Sequence, residues 1–156
     1  MSGHAIGMGT HRIDVQATST ASPEAVWALL ADATTWPSWS DFEEALIVRP
    51  DPSGGQGVGA QRRFRFGRTR SLEEIVVFDP PRHVAYLLLS GMPLRDYRGD
   101  VELTAISDGG TTIHWHSEFV PRIPGTGRLV VRRLGAFIDD LARALAAAAA
   151  ATTDPA

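Results

Sequence analysis

The stretch from Arg128 to Ala151, RLVVRRLGAFIDDLARALAAAAAA, decides how the chain is read. Leu129, Val130, Leu134, Phe137, Ile138, Leu141, Leu145 and Ala148 recur at helical spacing, while Asp139, Asp140 and Arg143 fall off that stripe. The spacing predicts one helix, a rod of about 35 Å at the usual rise per residue. A rod with one broad apolar face needs a large surface to lie on. The segments before it alternate like strands, so the expected partner is a curved sheet.

Working outward, Arg12 to Thr20 alternates Ile13, Val15 and Ala17 against Asp14, Gln16 and Thr18, the pattern of a half-buried strand. Ser22-Pro23-Glu24 then opens a helix, with a capping hydroxyl, a proline suited to the first turn and an acid at the positive end. Pro37 interrupts the next segment, which reads as a short helix or turn carrying Trp36 and Trp39. Six strands follow: 44–49, 59–66, 70–79, 83–90, 95–107 and 111–119, separated by Gly- and Pro-rich turns. The 83–90 run is almost wholly apolar and predicts burial on both faces at a sheet centre. Successive strands joined by tight turns predict an antiparallel meander. The fold class is therefore α+β: a curved antiparallel sheet of about seven strands wrapped around a long C-terminal helix, with two short helices after the first strand. Residues 1–11 read as a flexible leader, 12–151 as one domain and 152–156 as a frayed tail.

Composition narrows function by exclusion. There is no cysteine, so disulfides, thiolate metal sites and cysteine nucleophiles are ruled out. All fifteen basic residues are arginine, which removes lysine Schiff-base chemistry. The net charge of −3 gives no reason to expect nucleic acid. No run has the length of a membrane span, and Met1 to His11 lack a signal-peptide core, so a cytoplasmic protein is expected. Neither Ser90 nor Ser117 lies in a nucleophile elbow.

The chain resembles the START-related, polyketide cyclase/dehydrase-like superfamily (SRPBCC), which has the helix-grip fold. The residues that carry the likeness are the opening strand with Ser22-Pro23-Glu24-Ala25-Val26-Trp27, then Trp36-Pro37-Ser38-Trp39, then Asp79-Pro80-Pro81-Arg82, and finally Gly109-Gly110-Thr111-Thr112-Ile113-His114-Trp115. The resemblance spans about residues 12–148. It implies a cavity between sheet and long helix that binds a small hydrophobic molecule, aromatic or acyl. It carries no short catalytic signature, and one fold hosts many functions.

On that basis Trp27, Trp36, Trp39, Tyr86, Leu88, Tyr97, Trp115, Leu134, Phe137, Ile138 and Leu141 are expected to line the ligand site. No catalytic residue is assigned; Arg65, Asp96 and Tyr97 are the candidates for steering enolisation. Arg63 and Arg65 are expected to pair across strands with Glu73 and Glu74, with Arg62 an equal contender for the inward position. His114, His116 and Glu118 share one strand face, but Ile113, Trp115 and Phe119 claim the buried side, so a polar outer face is expected, without metal or other cofactor. Gly135 is expected to lower helix bulk over Trp115 and Tyr86. Three readings compete: a binding module, a cyclase/dehydratase, and a protein-interaction domain, the last favoured by a packed core without a cavity. Monomer and homodimer both stay open.

Overall fold

The computed structural model describes residues 9–153. Strand β1 (His11–Ser19) leads into helix α1 (Pro23–Ala31), a 3-10 turn (Ala33–Thr35) and the short helix α2 (Trp36–Trp39). Strands β2 (Glu44–Arg49), β3 (Gln61–Phe66), β4 (Thr69–Asp79), β5 (His83–Ser90), β6 (Leu94–Ala105) and β7 (Thr111–Pro121) follow, then helix α3 (Gly127–Thr153). All seven strands form one sheet in the order β1-β7-β6-β5-β4-β3-β2, antiparallel at every pairing. This is the expected helix-grip architecture. Most of the expected leader and the last three residues of the expected tail lie outside the described residues. His11, placed in that leader, instead begins β1 and stacks on Phe119 at 5.9 Å.

Local chemistry explains the elements. The Ser22 hydroxyl accepts the Ala25 amide at 3.2 Å and caps α1. α3 packs chiefly along β1, and then against α1 and β7. The Ser19 hydroxyl donates to the Ala146 carbonyl at 2.7 Å, and an added Cβ at Gly127 would run into the His11 ring. The alanine-rich half of α3 lets it approach the sheet closely: Ala142, Leu145 and Ala149 are fully buried.

Four expectations change. The α3 stripe is deeply buried only from Ile138 onward, and Leu129 is 50% exposed. β5 is the central strand, but its outer face is not fully covered: Leu87 is half-buried and Leu89 is exposed. Among the described residues no second layer packs on the convex side there. In β4, alternation keeps Glu73 and Ile75 together on the concave face, but the register shift between Ile75 and Val77 turns Phe78, expected opposite them, to that face as well, where it pairs with buried Val84. The expected ion-pair ladder is also re-sorted. Arg62 pairs with Glu73, Arg49 with Glu74, and Arg65 with Glu43 at 3.3 Å.

Candidate functional site

The concave face carries an unusual buried polar group. Arg62, on β3, is only 3% exposed. Its Nε donates to Glu73 Oε1 at 3.1 Å. Its guanidinium carbon lies 5.0 Å from the Trp36 ring centre, 5.1 Å from Phe64 and 5.2 Å from Tyr86. Three aromatic faces thus surround one cation, a favourable arrangement when water is excluded. Nη2 has no hydrogen-bond partner, and the buried Ser117 hydroxyl neighbours the Tyr97 phenol.

Neighbouring strands complete the surface. Trp115 Nε1, on β7, donates to the Tyr86 hydroxyl, on β5, at 3.0 Å. Tyr97, on β6, lies 6.2 Å from Tyr86 and 6.1 Å from Phe119, ring centre to ring centre. The Tyr86 ring lies directly over Gly99, where a Cβ would collide with it. Burial pushes the Tyr86 phenol well above its ordinary range. It also pushes the Tyr97 phenol up to about 12, against the pull of the neighbouring Ser117 and Tyr86 hydroxyls. Both therefore stay neutral at physiological pH and act as hydrogen-bonding groups rather than bases. Burial also raises the Glu73 carboxyl, more than Arg62 draws it down.

Trp36 closes this surface from above. Its ring meets Trp115 edge-on at 5.8 Å and Phe64 at 4.7 Å, and its Nε1 donates to the Leu30 carbonyl at 3.1 Å. Beside it, Phe42, Phe64, Phe66 and Phe137 form a chain of ring contacts between 4.9 and 5.4 Å that links α3 to the far end of β3.

Of the expected site residues, Trp36, Tyr86, Tyr97 and Trp115 come together around Arg62. Trp39, Phe137 and Leu141 border a hollow of about 80 Å³ between α2 and α3. Ile138 is buried, and Leu88 and Leu134 pack at the margin of the core. Trp27 stands apart: it packs edge-on against Phe78 at 5.1 Å and lines a surface groove of about 560 Å³ with Ile47, Pro50 and Gln56. A third hollow, of about 420 Å³, lies between the end of β1 and α3. The side chains around Arg62 are closely packed, and none of these three hollows reaches them. Arg65 alternates to the other side of β3 from Arg62, and Asp96 is exposed at φ 53° in the register shift between Arg95 and Arg98 of β6. Gly135 faces Ile13 rather than Tyr86 or Trp115. Sequence reasoning missed Glu73 and Ser117. For Glu73 the signal was its alternation in phase with Ile75, outweighed by its charge; Ser117 is a lone serine between a histidine and a glutamate.

The end of the sheet nearest these aromatics is basic. The β3–β4 turn, the β5–β6 turn and the β7–α3 loop lie side by side there: Gly91 abuts the Arg70 carbonyl, and the Arg122 amide donates to the Pro93 carbonyl at 2.9 Å. Arg68, Arg70, Arg95, Arg122, Arg128, Arg132 and Arg133 are exposed in these segments and the first turns of α3. None of them has an ion-pair partner among the described residues.

A concave antiparallel sheet gripping a long helix, with polar groups buried between aromatic side chains, defines a ligand-binding class of fold. Residues 10–150 match the model of the family described as "Polyketide cyclase / dehydrase and lipid transport", and the chain belongs to that family. A START superfamily protein from Mycobacterium smegmatis superposes with a TM-score of 0.80 at 16% identity, covering 92% of this chain and 99% of that one. An aromatase/cyclase from Streptomyces sp. R1128 superposes at 0.73 with 17% identity, covering 90% and 94%. Norcoclaurine synthase from Thalictrum flavum, solved with dopamine and hydroxybenzaldehyde, superposes at 0.73 with 16% identity, covering 96% and 92%. At these identities the likeness is one of fold. No curated protein matches the sequence significantly. No helix among the described residues is long and apolar enough to cross a membrane.

Proposed function

We propose that this protein binds a small aromatic or acyl molecule bearing an anionic or strongly polarised oxygen, on the concave face beneath Trp36. The observation that carries this reading is the unpartnered Nη2 of Arg62. Leaving a buried donor unsatisfied costs about 1–3 kcal/mol, and a buried ion pair gives the fold little in return. A ligand carboxylate, phenolate or enolate oxygen would satisfy that donor, with Ser117 as a second partner. The unpaired arginines at the same end of the sheet would draw an anionic ligand inward.

The interior is closed in this conformation, so binding requires the Trp36 and Phe42–Phe66–Phe137 contacts to part. The same groups would suit a cyclase/dehydratase step. Arg62 would hold a developing enolate, and Glu73, its carboxyl raised by burial, would exchange the proton. A protein-contact domain is the second reading. It is favoured by the packed interior and by exposed Leu46 and Val48 on the edge strand β2.

Native mass spectrometry and solvent extraction of freshly purified protein test the proposal. A co-purifying small acid or phenol is expected, and it should be lost in Arg62→Met. An empty wild-type protein that also fails to take up aromatic and acyl acids would refute binding and promote the protein-contact reading. Turnover of a model polyketone, abolished in Glu73→Gln, would establish the catalytic form.

A further inference from the structure

We infer that the convex face of the sheet holds a zinc-class divalent metal site built from Glu102, His114 and His116. The inference is independent of the concave ligand site. His114 and His116 are two apart on β7 and project to the same side, as strand geometry requires. Reading along that strand alone offers Glu118 as the third donor, but Glu118 is held by Arg12 at 3.1 Å. The third donor comes from the neighbouring strand. Glu102 of β6 stands directly opposite His114 in the register. One potential ligand atom from each of Glu102, His114 and His116 lies within 4.8 Å of the other two. At metal–ligand bonds of about 2.0–2.2 Å, small rotamer adjustments bring such atoms around one ion.

The surroundings suit a cation. The histidine rings lie 4.5 Å apart, and their side chains are only 29% and 17% exposed. They sit on a strand paired to neighbours on both sides, so their backbone is rigid. Asp14, on β1, holds His114 Nε2 at 2.8 Å. A carboxylate in that position orients the ring and leaves the other ring nitrogen for the ion. Glu102 Oε2 lies 2.7 Å from His116 Nε2, so these two donor atoms already converge on one point. Around the site stand the carboxylates of Asp14, Asp100 and Glu102, against the guanidinia of Arg12 and Arg98. Two imidazoles with one carboxylate favour zinc over calcium or magnesium, which prefer all-oxygen sets. Three protein donors leave a position for water.

Isothermal titration of tag-free, full-length protein with zinc chloride tests the site, with elemental analysis after dialysis. One zinc per chain is expected. His116→Ala should abolish it, and Asp14→Asn should weaken it about 10–100-fold, the usual effect of removing an orienting partner. Glu118→Gln and His83→Ala should leave affinity unchanged. All four positions lie on the convex face, and thermal unfolding without zinc verifies that each variant folds. No saturable binding would overturn the proposal. So would binding that survives His116→Ala, since the ion would then be held elsewhere.

Discussion

Replacing Arg62 and Glu73 singly and together separates what this pair does for the fold from what it does for a ligand. Arg62 is 3% exposed and its Glu73 partner 13% at the side chain, so both charges are largely out of water. Glu73→Leu strands the guanidinium with only its aromatic neighbours. Breaking a buried pair in this way costs about 3–5 kcal/mol. For a chain of this size each kcal/mol lowers Tm by about 2–4 °C, so a fall of roughly 6–20 °C is expected. Arg62→Met is milder, at about 1–3 kcal/mol, because the carboxyl left behind escapes its charge by binding a proton. The double variant Arg62→Met/Glu73→Leu removes both charges and refills the volume with apolar atoms. It should come within about 1 kcal/mol of the wild type, or exceed its stability. Equilibrium urea unfolding, with the slope held constant, gives all four corners of the cycle. Native mass spectrometry on the same samples should show the ligand lost from the double variant despite its recovered stability. If the double variant is as unstable as the two single losses added together, the groups are not coupled and the buried-pair reasoning is wrong.

Three further outcomes follow from the same geometry. Gly99→Ala should cost about 1–3 kcal/mol by overpacking, because its methyl would displace the Tyr86 ring; an unchanged denaturation midpoint would show that the ring has room to move. Glu73 sets a pH trend. Its folded pKa is raised, so the folded state holds the proton longer than the unfolded chain does. Stability therefore falls as pH rises from the ordinary glutamate range through the folded value; Glu73→Gln should flatten that part of the Tm profile, and identical profiles would contradict the assignment. Asp51 runs the other way. Hydrogen bonds from the Ser53 side chain and the Gly55 and Gly57 amides lower its carboxyl from 3.8 to about 2. Its contribution is full above the unfolded value and is lost as pH falls towards 2, so hydrogen exchange at Gly55 and Gly57 should quicken in that window, and steady protection would count against it.

Much of the fold was legible because its signals are periodic. The alternation in β1 and β7 and the helical spacing of α3 each depend on residues that face one way throughout. The site was less legible for three physical reasons. On β3, alternation sets Arg62 in phase with Phe64 and Phe66 and Arg65 with Gln61 and Arg63, but arginines on both faces leave the pattern without a clear apolar side. On β4, Glu73 alternates in phase with buried Ile75, but a carboxylate reads as solvent-facing until its buried cross-strand partner Arg62 is known. Among the three tryptophans between positions 27 and 39, the short helix α2 turns Trp36 over Arg62, while α1 carries Trp27 to a different groove against Phe78. The convex cluster shows a fourth limit. Strand spacing offered Glu118, whereas cross-strand register brought Glu102. Spacing along one strand cannot reveal its neighbour's register.

The closed interior sharpens what binding demands. Trp36 is anchored from two directions: its indole N–H donates to the Leu30 carbonyl, and its ring packs on Arg62, Phe64 and Trp115. A ligand that reaches Arg62 must replace the cation–π and ring contacts it displaces, and it gains the unpaired Nη2 in exchange. If the open state lies a few kcal/mol above the closed one, apparent affinity falls by the fraction that is open, about tenfold for each 1.4 kcal/mol. An apolar ligand without an oxygen acceptor recovers only the ring contacts. One with an acidic oxygen also removes the cost of an orphaned buried donor. On the proposed reading the arrangement would discriminate by chemistry before it discriminates by shape: the aromatic contacts over Arg62 would hold out molecules that have nothing to offer it.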